Sequence, residues 1–406
     1  MTSPILAAVE MAPRDPILGV TEAFNADTNP SKVNLGVGVY CNDEGKVPVL
    51  DCVRRAEQKL AETALPRNYL PIDGLPAYNK AVQSVLFGDA HPAVKAGRIV
   101  TAQTLGGTGG LKVGADLLRR IDPGAEIWIS DPSWENHRAI FEYAGFKVNT
   151  YPYYDAATHG VKFDAMLAAL RTLPAGAIVL LHACCHNPTG VDLAPAQWEQ
   201  VLAVVKERGL VPFLDIAYQG FADSLDADAA AVRRFAAECD VAFVASSFSK
   251  SLSLYGERVG AVSVVTGNSE EAARVLSQMK RVIRSNYSNP STHGGQTVAT
   301  VLNTPELRTM WEKELGEMRD RIKLMRRQLV EKIRAQRADF DFGFVEKQRG
   351  MFSYSGLTKD QVAALRKDYS VYAIDSGRIC VAALNSRNID HVAKAVAEVL
   401  VKVPAR

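Results

Sequence analysis

Seven short apolar runs, most of them separated by stretches of helical periodicity, constrain this chain more than any other feature. The runs cover residues 99–101, 127–130, 147–151, 178–181, 211–214, 241–244 and 261–265. Residues 111–120, 134–143, 163–170 and 195–207 lie between them and repeat apolar side chains at helical spacing. Strands that alternate with helices pack as a mostly parallel sheet covered on both faces, here an α/β fold with seven strands. Ligands in such folds bind beyond the carboxyl ends of the strands. The residues just after each run are therefore the ones to read for chemistry.

The length of 406 residues gives room for two or three domains. A formal net charge of only +2, with no long basic or acidic block, argues against a nucleic-acid surface or a polybasic membrane patch. The apolar run at 177–185 is broken by His182 and is too short to cross a bilayer. The first ten residues lack a basic region and reach Glu10 early, so no secretory signal is expected. Cys41, Cys52, Cys184, Cys185, Cys239 and Cys380 form no C-x-x-C pair and are read as reduced thiols of a cytoplasmic protein. The run His182-Ala183-Cys184-Cys185-His186 invites a metal site. Strand alternation would turn Cys185 away from the others, so no metal is expected.

Residues 1–14 read as an irregular arm punctuated by Pro4 and Pro13, and a helix follows from about Pro16 to Ala26. The segment 33–40 is apolar with two glycines, Gly36 and Gly38, a sign of close backbone approach. Residues 50–62 read as a helix. After Thr304 the pattern changes to one long charged helix over 305–336, then short strands at 342–346, 351–355 and 379–382. The expected organisation is an arm (1–14), a small α+β domain (15–46 with 310–406) and a large domain (47–309).

Five clusters follow the runs. Gly106-Gly107-Thr108-Gly109-Gly110 leads into a helix and offers backbone N–H groups to a phosphate. Its spacing fits neither the ATP nor the dinucleotide fingerprint. Trp134, within Asp131-Pro132-Ser133-Trp134-Glu135-Asn136-His137, offers a face on which a planar ring can stack. Asn187 stands in His186-Asn187-Pro188-Thr189-Gly190 with both a donor and an acceptor. Asp215, with Tyr218 three residues on, is a carboxylate at the end of a buried strand. It needs a positive partner, and a protonated pyridine nitrogen would serve. Ser247, Lys250 and Arg258 come last. A lysine just past a buried strand loses its proton easily and suits Schiff-base chemistry with an aldehyde. Farther on, Arg284 and Arg378 have the fork that grips carboxylates. Taken singly, each has a plain reading: flexible loop, core tryptophan, ligand-free turn, solvated cation. Together they make a single site suited to pyridoxal 5′-phosphate acting on an amino acid.

From about Asp15 to the C-terminus these motifs occur in the order in which they stand in the class I pyridoxal-phosphate aminotransferases. The chain resembles the bacterial aspartate and aromatic amino acid subgroup. Further shared motifs are 34–40 (Asn-Leu-Gly-Val-Gly-Val-Tyr), 286–290 (Asn-Tyr-Ser-Asn-Pro) and 376–378 (Ser-Gly-Arg). The resemblance implies that Lys250 joins the cofactor's aldehyde and shuttles the proton. Asp215, backed by His137, would keep the pyridine nitrogen protonated. Tyr218 and Asn187 would bond the phenolic oxygen, and Trp134 would stack on the ring. Gly107, Thr108, Ser247 and Arg258 would hold the phosphate, with Tyr69 from a neighbouring subunit. Arg378, Asn187 and the Gly38 backbone would bind the substrate's α-carboxylate, and Arg284 would cross the dimer to a side-chain carboxylate. The implied protein is a homodimer with shared sites, alternating between the aldehyde and amine forms of its cofactor and using 2-oxoglutarate. Cys41 and Val47 stand where aspartate-preferring relatives tend to carry Lys and Thr. They favour aromatic as well as dicarboxylic substrates, with a strict aspartate enzyme as the alternative. A carbon–sulfur lyase would not need Arg284. The fourteen residues before the resemblance are too few for the DNA-binding domain of a cofactor-dependent regulator.

Overall fold

The computed structural model describes residues 6–12, 16–64, 66 and 68–403. The parts of the expected arm at 1–5 and 13–14 lie outside the described residues. Within 6–12, Leu6–Ala8 forms a short 3-10 turn, and Leu6, Val9 and Met11 stand exposed.

All seven apolar runs become strands of one sheet. With Val33–Asn34 as β1, they are β2 (Ile99–Leu105), β3 (Ile127–Asp131), β4 (Val148–Pro152), β5 (Ile178–His182), β6 (Val211–Ile216), β7 (Ala242–Ser247) and β8 (Val259–Val265). The sheet order is β2-β8-β7-β6-β5-β3-β4, and only β8 runs against its neighbours. The reason lies in the connections. Parallel neighbours need a crossover, and those strands have helices before them, whereas β7 and β8 are joined by residues 248–258 without a crossover helix. β7 and β8 are buried along their whole length, which fits their near-continuous apolar sequences.

Helix α1 (Gly106–Ile121) starts directly where β2 stops and lies against the sheet. Its glycines make that approach possible. A Cβ on Gly110 would sit 2.7 Å from the Ala261 carbonyl oxygen, and one on Gly114 would sit 2.5 Å from the Phe213 ring. Helix α2 (Glu135–Tyr143) follows β3, and α3 (Ser269–Asn286) follows β8.

The long helix α4 (Pro305–Gln336) has 32 residues, a rod of about 48 Å at 1.5 Å per residue. Leu307, Trp311, Leu315, Met318, Ile322, Met325, Leu329 and Ile333 are buried at three- and four-residue intervals, the stripe an amphipathic helix presents to a core. Trp311 Nε1 donates to the Ser251 carbonyl at 2.7 Å, so α4 braces the loop that carries Lys250. Helix α5 (Ile389–Lys402) packs along α4.

Beyond α4, strand β9 (Phe352–Tyr354) pairs antiparallel with β11 (Arg378–Cys380), and β10 (Val371–Tyr372) pairs parallel with β1. The register sets Tyr354 opposite Arg378 and Phe352 opposite Cys380. The strand expected at 342–346 is not formed; Phe344–Lys347 is a short helix. Asp341 Oδ1 accepts the Gly343 N–H at 2.8 Å, and that local bond turns the chain into a helical coil before a ladder can begin. Among the described residues, no helix is long and apolar enough to cross a membrane.

Candidate active site

The carboxyl ends of β2, β5, β6 and β7 surround a cavity of about 220 Å³. Gly38, Gly107, Thr108, Trp134, Asn187, Asp215, Tyr218, Ser247, Lys250 and Arg258 all border it. His137 stands one layer behind. Arg378 is buried beside Asn187. Tyr69 and Arg284 do not border it.

Asp215 lies within β6, level with His182 on β5 and Ala245 on β7. Its Oδ2 meets His137 Nε2 at 2.8 Å. Burial is the largest single influence and works to raise the Asp215 carboxyl, but the His137 hydrogen bond together with the nearby positive charge, Lys250 included, outweighs it and leaves the pKa below the usual carboxylate value. The proton order behind this pair follows from one backbone donor. The Asn187 N–H donates to His182 Nδ1 at 3.1 Å, so that nitrogen is bare and His182 carries its proton on Nε2. His182 Nε2 then donates to Ser133 Oγ at 3.3 Å. Ser133 is left to donate to His137 Nδ1 at 2.9 Å, and His137 turns its Nε2–H toward Asp215. Burial pushes the His182 pKa down to about 3, which agrees with a neutral ring in that chain. His186, stacked between Tyr153 and His182, is likewise kept neutral by burial.

Lys250 faces Asp215 across the cavity. Its Nζ stands 4.9 Å from the Tyr218 ring centre. Burial is the main cause that lowers its pKa, to about 8. Asp215 opposes the shift and Arg258 adds to it. Burial raises the Tyr218 hydroxyl, keeping it a donor.

The opposite wall is built from backbone. Gly106, at φ +69°, turns the chain from β2 into α1, and a Cβ there would come within 2.5 Å of Arg258 Nη2. The glycine stretch does lead into a helix, as expected, but the helix begins at Gly106, directly after the strand, and this aims the first N–H groups of α1 at the cavity. Ser247 lies at the end of β7 with its Oγ accepting the Ser249 N–H at 3.2 Å. Arg258 donates from Nη1 to the Tyr255 carbonyl at 3.0 Å and to Ser249 Oγ at 3.4 Å. A carboxylate, a desolvated amine, an indole and a donor-lined glycine cradle are the complementary groups of pyridoxal 5′-phosphate.

Arg378 is 1% exposed. Its Nη2 donates to the Gly36 carbonyl at 2.8 Å and its Nη1 to Asn187 Oδ1 at 3.3 Å, while Nε is buried without a partner. The Phe352 ring covers it at 4.4 Å. Gly38 is held close by the same ring, because a Cβ there would sit 2.7 Å from its Cζ. Tyr69 is 93% exposed, and Arg284 is exposed with its side chain bonded to Ser288. Cys41 is half-buried, its carbonyl taking a hydrogen bond from Arg321 at 2.8 Å, and Val47 is exposed; neither borders the cavity.

Tyr255, Ser249, Cys184 and His182 also face the cavity. Tyr255 and Ser249 flank Lys250 and Arg258 in sequence, and that proximity was their only signal. The alternation argument for Cys185 does not hold, because β5 ends at His182 and Cys185 adopts φ +52°. The Cys184 and Cys185 thiols therefore both come within 4.8 Å of the Asp228 carboxylate. That carboxylate already accepts the N–H groups of Gly220, Ala222, Asp223 and Ser224. Its mutual bond with Cys185, together with burial, pushes Cys184 up, and burial pushes Cys185 up to about 11, so neither thiol is inclined to ionise. The cluster is a packed turn.

Residues 30–396 match the family model for aminotransferase class I and II. The chain is 61% identical over 396 residues to an aspartate aminotransferase of Pseudomonas aeruginosa, covering 98% of this chain and 100% of that one. It is 51% identical over 389 residues to the aromatic-amino-acid aminotransferase of Escherichia coli, covering 95% and 98%. A solved aromatic-amino-acid aminotransferase from Burkholderia pseudomallei, covalently bound to pyridoxal phosphate, is similar at a TM-score of 0.96. That match has 65% identity and covers 98% of this chain and all of the other.

Proposed function

The chain belongs to the aminotransferase class I and II family, and from that premise we propose that it moves the amino group of an aromatic or dicarboxylic amino acid to 2-oxoglutarate with pyridoxal 5′-phosphate as cofactor. The observation that carries this reading is the pairing of Lys250, desolvated to a pKa of about 8, with Asp215 across a cavity that ends in a glycine and arginine cradle.

When bound, the cofactor supplies an aldehyde that condenses with amines and a pyridine ring that accepts the electron pair freed at the α carbon. The protein's share is binding, orientation and proton transfer. Asp215, fixed by His137 and the directed chain behind it, holds a proton at the pyridine nitrogen. Tyr218 and Asn187 would donate to the phenolic oxygen, and Trp134 would offer its face to the ring. Gly107, Thr108, Ser247 and Arg258 hold the phosphate. Lys250 would hold the cofactor at its aldehyde, and its Nζ would be the group that takes and returns the proton during transfer. Arg378, with Asn187 and the backbone at Gly38, takes the α-carboxylate.

Tyr69 and Arg284 contribute to this scheme only from a second copy of the chain, and their exposure supports a homodimer with shared sites. The exposed Leu6, Val9 and Met11 support an arm that lies on that second copy. In this reading 15–46 and 310–406 form a small domain, 47–309 a large one, and the enzyme works in the cytoplasm.

The narrower reading, a strict aspartate aminotransferase, draws on Arg284 and Asn289. Values of kcat/KM for Asp, Phe and Tyr with 2-oxoglutarate separate the two. Comparable values for all three are expected, and inert aromatics would remove the broader specificity. The mechanism itself is tested with Lys250→Ala, which should lose multiple turnover; normal turnover by that variant would sink the assignment.

A further inference from the structure

We infer that Arg326 is a positioning residue for the α-carboxylate clamp, acting through Phe352 and the turn that carries Asn187. The inference rests on the transamination reading above. Arg326 projects from α4 and is 2% exposed. Its Nη1 donates to the Val345 carbonyl at 3.2 Å and to Ser353 Oγ, and its Nη2 to the carbonyls of Gly350 at 2.7 Å and Phe352 at 2.6 Å. Among the described residues no carboxylate pairs with it. A cation buried with no carboxylate in contact, Asp192 acting only at longer range, is an expensive way to fill space, and an apolar side chain of similar volume would do so more stably. Burial lowers its pKa to about 10, so it keeps its charge at neutral pH. What the guanidinium gains is geometry, because one planar fork gathers four acceptors from a single stretch, 345–353.

Two links run from that stretch to the clamp. The Phe352 carbonyl is fixed by Arg326 while its ring lies 4.4 Å from the Arg378 guanidinium, and the ring's Cζ leaves room only for a glycine at 38. The Arg349 N–H donates to the Gly190 carbonyl at 2.6 Å, and the Tyr354 N–H to the Thr189 carbonyl at 3.4 Å. A Cβ on Gly190 would come 2.7 Å from the Phe352 carbonyl oxygen. This is the turn on which Asn187 Oδ1 receives Arg378. Shifting 350–353 therefore moves the aromatic cover of Arg378 and the seat of its hydrogen-bond partner together.

The test uses the holoenzymes of Arg326→Lys, Arg326→Met and Ser353→Ala. For each, kcat and KM are measured with aspartate and phenylalanine. The rate at which methoxyamine, an amine without a carboxylate, reacts with the bound cofactor is followed by absorbance. Both Arg326 variants should raise KM ten- to a hundredfold for both amino acids, and Ser353→Ala a few-fold. Methoxyamine should react within twofold of the parent rate. A lower melting temperature with KM unmoved would reduce Arg326 to packing and overturn the inference. An equal loss toward methoxyamine would also overturn it, since the whole site would then have loosened. If Arg326→Met does not fold, the other two variants decide. A parent enzyme that fails to transaminate would defeat the functional reading instead.

Discussion

The lowered pKa of Lys250 makes a quantitative demand on the apoenzyme. An amine titrating near 8 is neutral in roughly one molecule in ten at pH 7, against roughly one in three thousand for an ordinary lysine. The buried amine should therefore capture an aldehyde a few hundred times faster than its surface counterparts. Pyridoxal is the suitable probe, because it lacks the phosphate and so takes Arg258 out of the binding step. The capture rate, followed by absorbance from pH 6 to 10, should rise about tenfold per unit and level off near pH 8. The causes of the shift can be separated. Arg258→Gln removes a neighbour that lowers the pKa, so its midpoint should move up; Asp215→Asn removes the neighbour that raises it, so its midpoint should move down. Stability provides an independent check with a definite sign. The folded pKa lies below the unfolded one, so between about 8 and the ordinary lysine value the unfolded chain binds the extra proton. Apoenzyme stability should rise with pH across that window, by at most about 3 kcal/mol, relative to Lys250→Ala. A capture midpoint at or above 10 in the parent protein would refute the desolvation argument, and so would midpoints unmoved in both variants.

Arg284→Leu should lower kcat/KM for aspartate at least a hundredfold and leave phenylalanine within a few-fold; equal losses would remove Arg284 from side-chain recognition. Gly110→Ala would set a Cβ 2.7 Å from a backbone carbonyl on β8 and should cost about 1–3 kcal/mol in thermal unfolding, whereas Gly256→Ala, with nothing within 4 Å, should cost little. Ser133→Ala breaks the directed chain between His182 and His137. It should reduce kcat about tenfold while KM holds, and a drop in KM-dependent binding alone would place the effect elsewhere.

The sheet was legible because its signal is burial. Strands covered on both faces leave long apolar runs such as 261–265, and every such run became a strand of the central sheet. The strand expected at 342–346 failed for the converse reason: it rested on a short apolar stretch, and one side-chain bond from Asp341 was enough to redirect it. Site residues on strand ends, such as Asp215 and Ser247, could be placed because a polar group at the end of a buried strand has few other reasons to be there. The second layer was not legible. The position of the proton on His182 depends on a backbone N–H five residues later, and the role inferred for Arg326 depends on carbonyls that carry no side-chain signature. Cys185 was misjudged because a positive φ beyond the strand's end cancelled the alternation on which the argument relied.

These outcomes also explain why substrate preference is the last property to emerge. The cofactor end of the cavity is lined by groups fixed in one chain: the β2–α1 junction, β6 and the end of β7. Their positions follow from backbone hydrogen bonds, so they are set before any ligand arrives. The α-carboxylate end is tied into the same body through Arg378, Gly36 and Asn187. The groups assigned to the substrate's side chain have no such ties to the cavity: Arg284 and Val47 are exposed. In the proposed dimer that end would be completed by a second copy, and a hydrophobic pocket discriminates a methylene by just about 1–3 kcal/mol. Reaction type is thus written in the strand ends of a single chain, while specificity, in the proposed dimer, would rest on weaker contacts between two copies. Two relatives of this chain, at 61% and 51% identity, accordingly bear the names of different amino donors.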